Sequence, residues 1–215
     1  MKKILMSLMT IALVIGLVGA GSFALFNDTE TSTGNTFTAG TLDLTAVGGS
    51  PMPFAVANMK PGDSGSGTVT LTNAGTIGAA ELDINMSTVT NNDVSTAEPE
   101  NDLGTNSGLG DLGGQLLMVM WLDVDQSGTF DDGDIELLSD GTAAAYNAQT
   151  NPDLSYVAAN NYSGDNWDAV LAAMAQGAED DFVISYKLPA DTDNSIMTDK
   201  ITFDVTFTLE QGGAD

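Results

Sequence analysis

The chain has 215 residues, enough for one domain or two small ones, and with 42% hydrophobic against 16% charged residues it can bury a core. Thirty acids stand against five lysines (Lys2, Lys3, Lys60, Lys187 and Lys200), giving a formal charge of −25, and there is no arginine, histidine or cysteine. Nucleic-acid binding by phosphate neutralisation is therefore excluded. So are the nitrogen and sulfur ligands of zinc, copper, haem and iron–sulfur centres, Ser-His-Asp and Cys-His catalysis, and any disulfide. Carboxylate oxygen remains, the donor that suits hard cations such as calcium.

Lys2-Lys3 opens the chain, and no further charge occurs before Asp28. The apolar run Ile4–Ala20 leads to Ser22 and Ala24, small residues at the −3 and −1 positions of a signal-peptidase site. Residues 1–24 thus read as a signal peptide cut between Ala24 and Leu25. The alternative is an uncleaved anchor, because an uncharged stretch of this length can span a bilayer.

Beyond it, alternation of apolar and polar residues dominates. Short strand candidates are Leu42–Val47, Thr68–Asn73 and Gln115–Leu122. Ala80, Leu82, Ile84 and Met86 alternate with Glu81, Asp83 and Asn85. Phe182, Ile184, Tyr186 and Leu188 form a second set, with Val183 the apolar outlier. Ile201, Phe203, Val205, Phe207 and Leu209 form a third. Each set gives a strand one apolar and one wet face, and together they predict an all-β fold of antiparallel sheets packed as a sandwich. Trp167, Val170, Leu171 and Met174 instead fall at i, i+3, i+4 and i+7, which predicts one short amphipathic helix capped by Asp165, with Asp168 in its first turn and a stop at Gly177. Long polar loops are expected at Thr88–Gly114 and Ser139–Asn161.

The sharpest chemical signal is Asp123-Val-Asp125-Gln-Ser127-Gly128-Thr129-Phe-Asp131-Asp132-Gly-Asp134. Side-chain oxygens at loop positions 1, 3, 5, 9 and 12, with glycine at 6, match the spacing of a calcium loop, in which alternate residues turn inward and glycine permits the sharp bend. Asp123, Asp125, Ser127, Asp131 and Asp134 would offer side chains, Thr129 its carbonyl, and Asp132 would face solvent. Serine at position 5 and aspartate rather than glutamate at 12 depart from the EF-hand pattern, and the upstream flank reads as strand. The competing reading is a solvated acidic turn.

Phe26-Asn27-Asp28, Thr36-Phe37, Gly40-Thr41-Leu42-Asp43-Leu44, Met59-Lys60-Pro61-Gly62-Asp63 and Leu71-Thr72-Asn73-Ala74-Gly75 together resemble the TasA/camelysin family, specifically across about residues 15–86. That resemblance implies a jelly-roll-like β-sandwich, cleavage by a SipW-type signal peptidase, and an extracellular life in biofilm-matrix fibres or bundling pili. It also implies that the mature N-terminus inserts as a strand into the next subunit. Leu25, Phe26, Asn27, Asp28, Thr29, Glu30 and Thr31, within an arm of residues 25–36, would make that contact, and residues 37–215 would form the sandwich domain. An arm of this kind satisfies an open sheet edge with backbone hydrogen bonds, and head-to-tail contacts that do not close yield filaments. The alternative is that the arm pairs within its own subunit or is disordered.

The expected partners are other copies of the chain, the signal peptidase and further matrix components. No nucleic acid is expected, and no membrane after cleavage. Two other functions compete with the fibre subunit. One is a monomeric calcium-binding adhesin whose loop tyrosines, Tyr146, Tyr156 and Tyr162, stack on sugars. The other is a camelysin-like metalloprotease, which would lack the His-Glu-x-x-His helix and every other histidine, so the expectation is a non-enzyme.

Overall fold

The computed structural model describes residues 41–42, 44–48, 58–93, 110–196 and 198–211. The signal peptide, its cleavage site and the arm of residues 25–36 lie outside the described residues.

The larger sheet begins with β1 (Leu44–Gly48) and β2 (Ser64–Asn73), paired antiparallel. β2 pairs with β10 (Glu179–Lys187), β10 with β5 (Leu117–Asp123), β5 with β6 (Ile135–Leu137), and β6 with β7 (Ala143–Ala145). The short β8 (Val157–Ala158) also pairs with β5, beside its first residues. A second sheet has the order β12-β3-β9, built from β12 (Val205–Glu210), β3 (Glu81–Met86) and β9 (Asn166–Leu171). β4 (Thr90–Asp93) and β11 (Asp199–Thr202) form a separate ribbon, and α1 (Leu112–Gln115) is a single turn.

The two main sheets share one core. Val69, Leu71, Met118, Met120, Leu122, Phe182 and Ile184 from the larger sheet meet Leu82, Ile84, Met86 and Trp167 from the smaller. Leu82, Ile84, Met86, Phe182 and Ile184 are the inward positions that alternation assigns, and the all-β sandwich stands as expected. Val183, the outlier, also has a structural cause. It lies opposite Trp121 on the other face of the larger sheet, where both are buried beside Val119.

The helix expected over residues 165–177 is instead the strand β9. Between the pairs Leu82↔Leu171 and Ile84↔Trp167, β3 advances two residues while β9 advances four. This bulge puts Ala169 at φ 49° and lets its N–H donate to Asp83 Oδ1 at 2.7 Å. A bulge breaks the period of two. Trp167 and Val170 therefore both turn inward, three residues apart, and imitate a helical stripe. Met174 completes the imitation from beyond the strand, in an isolated bridge to Ala79. The polar segment 139–161 is likewise not one loop: it holds β7, a turn closed by the Asn147–Asn151 bridge and β8, and it leads into a 3-10 turn at Ala159–Tyr162. In the other expected loop, β4 and α1 flank residues 94–109, which are not among those described.

Asp180 sits on the inner face of β10 and is only 6% exposed. Burial, with the adjacent Asp181 charge, pushes its carboxyl up to about 6. The native state then holds this proton more tightly than the unfolded chain, whose carboxyl titrates near 3.9. Protonation at Asp180 therefore stabilises the fold, and stability is gained as pH falls from above 6 to below 4, by on the order of 2–3 kcal/mol. Asp180→Asn is expected to melt higher than the parent at pH 7.5 and within a degree or so of it at pH 3.5. Parallel melting curves across that range would refute the buried-charge account.

Candidate metal centre

The acidic loop leaves the central strand β5 at Asp123 and returns to β6 just after Asp134. Both carboxylates are buried, Asp134 completely and Asp123 to within 1%. Backbone groups of the loop wrap them. Asp123 Oδ1 accepts from Ser127 N at 3.0 Å and Oδ2 from Gly128 N at 2.7 Å. Asp134 Oδ1 accepts from Val124 N and Oδ2 from Asp131 N, each at 2.9 Å. Left-handed backbone at Gln126 (φ 58°) and Gly128 (φ 77°) bends the chain tightly enough for this. At Gly128 a side chain would meet that backbone with strain, which is why glycine belongs at position 6.

Carboxylate oxygens of Asp123, Asp125 and Asp134 come within 4.8 Å of one another, and no described lysine pairs with them. Burial raises the Asp123 carboxyl, partly offset by the Gly128 and Ser127 N–H groups, with Asp125 adding to the rise. Burial likewise raises that of Asp134, and the nearby Asp123 and Asp131 charges push the same way against the Asp131 and Val124 N–H groups. Each oxygen bonded to an N–H keeps a second lone-pair direction for an ion. Ser127 Oγ donates to the Thr129 carbonyl at 3.1 Å, so the position-5 hydroxyl and the position-7 carbonyl are neighbours. The donors are all oxygen and include two buried, mutually repelling carboxylates, and this set fits a hard cation.

Three of the six expected ligands, Ser127, Thr129 and Asp131, lie outside the three-carboxylate group. Asp131 Oδ2 accepts from Thr129 Oγ1 at 2.9 Å, with Ser127 Oγ at 3.4 Å, and the exposed Asp125 accepts from Ser127 N at 3.0 Å. Asp132 is exposed, as expected.

Sequence spacing does not show how the loop is anchored. Phe130, at position 8, packs edge-on against Trp121 with ring centroids 5.7 Å apart, and Tyr146 packs on Phe130 at 5.4 Å. Tyr146 N also donates to the Asp134 carbonyl at 2.8 Å. A second carboxylate group, Glu81, Asp83 and Glu210, gathers across the β3–β12 pairing. Its members are far apart in the chain, so only the strand register brings them together. Tyr162 does not face solvent as a sugar platform would. It is 1% exposed and stacks near Trp167, and burial raises its hydroxyl far above its ordinary value. Tyr156 lies under Lys187, whose Nζ is 4.0 Å from the ring centroid.

The fold and loop define an all-β sandwich protein with an oxygen-lined loop suited to a hard cation. Among models of protein families, camelysin metallo-endopeptidase matches residues 1–215. The chain belongs to that family, which is the TasA/camelysin family. Curated proteins gave no match. Among the described residues no helix is long and apolar enough to cross a membrane, a statement that leaves strands aside.

If the loop holds calcium, the ion stabilises only the folded state, by about 3 kcal/mol at a hundredfold excess over its dissociation constant. Replacing Asp123 and Asp125 together by alanine is expected to lower the melting temperature by several degrees in millimolar calcium and not to lower it in EGTA. Equal melting of variant and parent in saturating calcium would sink the assignment.

Proposed function

We propose that this chain is a secreted structural subunit of extracellular fibres or pili. A SipW-type peptidase removes residues 1–24 between Ala24 and Leu25. The arm of residues 25–36 joins the next subunit as an added strand. The 123–134 loop holds a structural calcium through Asp123, Asp125, Ser127, Thr129, Asp131 and Asp134. Family membership over the whole chain supports the class. The observation that carries the assembly reading is a sandwich whose smaller sheet, among the described residues, ends in the regular strand β12 with no partner on its outer edge. Such an edge is a template for another chain.

The family's name favours a second reading, an endopeptidase that uses a metal. A catalytic metal keeps an open coordination position and works with a nearby base. The 123–134 loop instead surrounds its carboxylates with its own N–H groups, and the chain has no histidine to serve as ligand or base. Casein hydrolysis that co-purifies with the protein and disappears in Asp123→Ala would restore that reading. A third reading, the monomeric adhesin, loses one platform with the burial of Tyr162.

The deciding experiment is negative-stain electron microscopy of residues 25–215 in calcium beside a chain beginning at Phe37. Filaments from the longer chain alone are expected. Filaments from both would keep the structural role and remove the arm from it. Dispersed globules from both, with binding to a polysaccharide panel, would favour the adhesin.

A further inference from the structure

We infer that Asn161 is a glycan attachment site, whose side-chain amide accepts a saccharide from a polyprenyl-phosphate-linked donor. The inference rests on the secreted reading above, because such transfer takes place on the outer side of the membrane.

The sequence holds three Asn-x-Ser/Thr triplets in which x is not proline: Asn27-Asp28-Thr29, Asn85-Met86-Ser87 and Asn161-Tyr162-Ser163. The first lies outside the described residues. The other two are equivalent as sequence, and the fold separates them.

Asn85-Met86-Ser87 is tied on every side. It runs along β3, the middle strand of the smaller sheet, where Asn85 lies opposite Thr206 of β12 and Asn166 of β9. Asn85 Nδ2, the atom that would carry the sugar, lies 3.4 Å from both the Asp165 carbonyl and Asn166 Oδ1. Met86 is fully buried, and its N–H donates to the Asp165 carbonyl at 2.9 Å. Ser87 Oγ accepts from Asp204 N at 2.8 Å. A transferase has to grip the backbone of the triplet together with its Asn and Ser side chains. Here that backbone is held in ladders on both sides, and β3 would first have to leave the sheet.

Asn161-Tyr162-Ser163 ends the 3-10 turn Ala159–Tyr162. The contacts that pin this turn pass Asn161 by. Ala159 N donates to the Leu116 carbonyl at 2.9 Å, Asn160 Oδ1 accepts from Asn91 Nδ2 at 2.7 Å, and Tyr162 packs into the core beside Trp167. With Tyr162 turned inward, Asn161 and Ser163 on either side of it are both exposed. Ser163 Oγ accepts from Val89 N at 3.0 Å, which leaves its own hydrogen free to donate. Gly164 follows in left-handed backbone at φ 84°, with open space where a side chain would stand. The two side chains by which the triplet is read therefore face solvent from a surface turn, the setting that an N-linked acceptor needs.

The step is a group transfer. Asn161 Nδ2 forms a bond to the anomeric carbon of the saccharide, and the bond from that carbon to the donor's phosphate oxygen breaks. The lipid phosphate leaves with the electron pair, and the amide gives up one proton. The product is a bulky, hydrated group on the 3-10 turn.

The test uses protein recovered from the medium and surface of the cells that make it. Cleavage after acidic residues places Asn161 in residues 154–165 and Asn85 in residues 84–93. Mass spectrometry is expected to find sugar residues on peptide 154–165, at an occupancy several-fold above that of 84–93. Asn161→Gln and Ser163→Ala should each abolish this added mass, and Ser163→Thr should keep it, with melting curves verifying that each variant folds. Sugar that persists on 154–165 in Asn161→Gln would belong to a hydroxyl of that peptide and overturn the inference. Equal or greater occupancy at Asn85 would overturn selection by the fold. A bare 154–165 from exported protein would overturn the inference and leave the secreted reading standing. Bare protein found only inside the cells would remove both.

Discussion

The pairing of β10 with β5 is the contact on which the rest of the molecule depends. β10 joins β2 on one side and β5 on the other along most of its length. Its inner face supplies Phe182 and Ile184 to the core, and its outer face sets Val183 against Trp121. β5 is buried at nearly every position, on both faces. A strand buried on both sides needs a cover on each. The smaller sheet covers the inner face, while the segment following β5 contributes to the cover outside, through Phe130 on Trp121 and Tyr146 on Phe130. The acidic loop is therefore part of the packing of the larger sheet. Whatever fixes the loop also fixes the aromatic cover of the central strand.

That coupling gives the electrostatics their consequence. Across the sheet, Asp181 lies opposite Asp123, and Asp181 Oδ1 is held by Thr70 Oγ1 at 2.6 Å and Gln126 Nε2 at 3.3 Å rather than by a cation. The described residues contain one salt bridge, between the exposed Lys60 and Asp63, and such a pair contributes little to stability. Among the described residues the loop carboxylates are met by N–H and hydroxyl dipoles, which moderate their repulsion without cancelling their charge. A bound divalent ion would remove that residual repulsion at the point where loop, central strand and aromatic cover meet.

The sequence was legible wherever one strand or one loop carried its whole message. Alternation identified β3 and β10 because their apolar residues all serve one core. The gathering of Asp123, Asp125 and Asp134 was legible because these acids lie in one short loop whose spacing turns them inward. Reading failed where the message is split between segments. The bulge at Ala169 depends on Asp83, 86 residues earlier, and without that partner Trp167 and Val170 look helical. The alternation from Ile201 to Leu209 is unbroken, yet β11 pairs with β4 and β12 with β3, with the division held by reciprocal bonds between Ser87 and Asp204. Glu81, Asp83 and Glu210 become neighbours only through register. Tyr162 lay in a polar run, and only tertiary packing shows that it belongs to the core.

An open, regular sheet edge is ordinarily an aggregation hazard, and proteins commonly guard such edges with lysine, proline or bulges. β12 has none of these, but the chain as a whole carries −25. Self-repulsion of that size opposes indiscriminate association while leaving the edge chemically open. Its range is the Debye length, about 8 Å at physiological ionic strength and about 3 Å in molar salt, so salt and divalent ions weaken it. Protection against aggregation is then carried by the charge of the surface as a whole rather than by the edge.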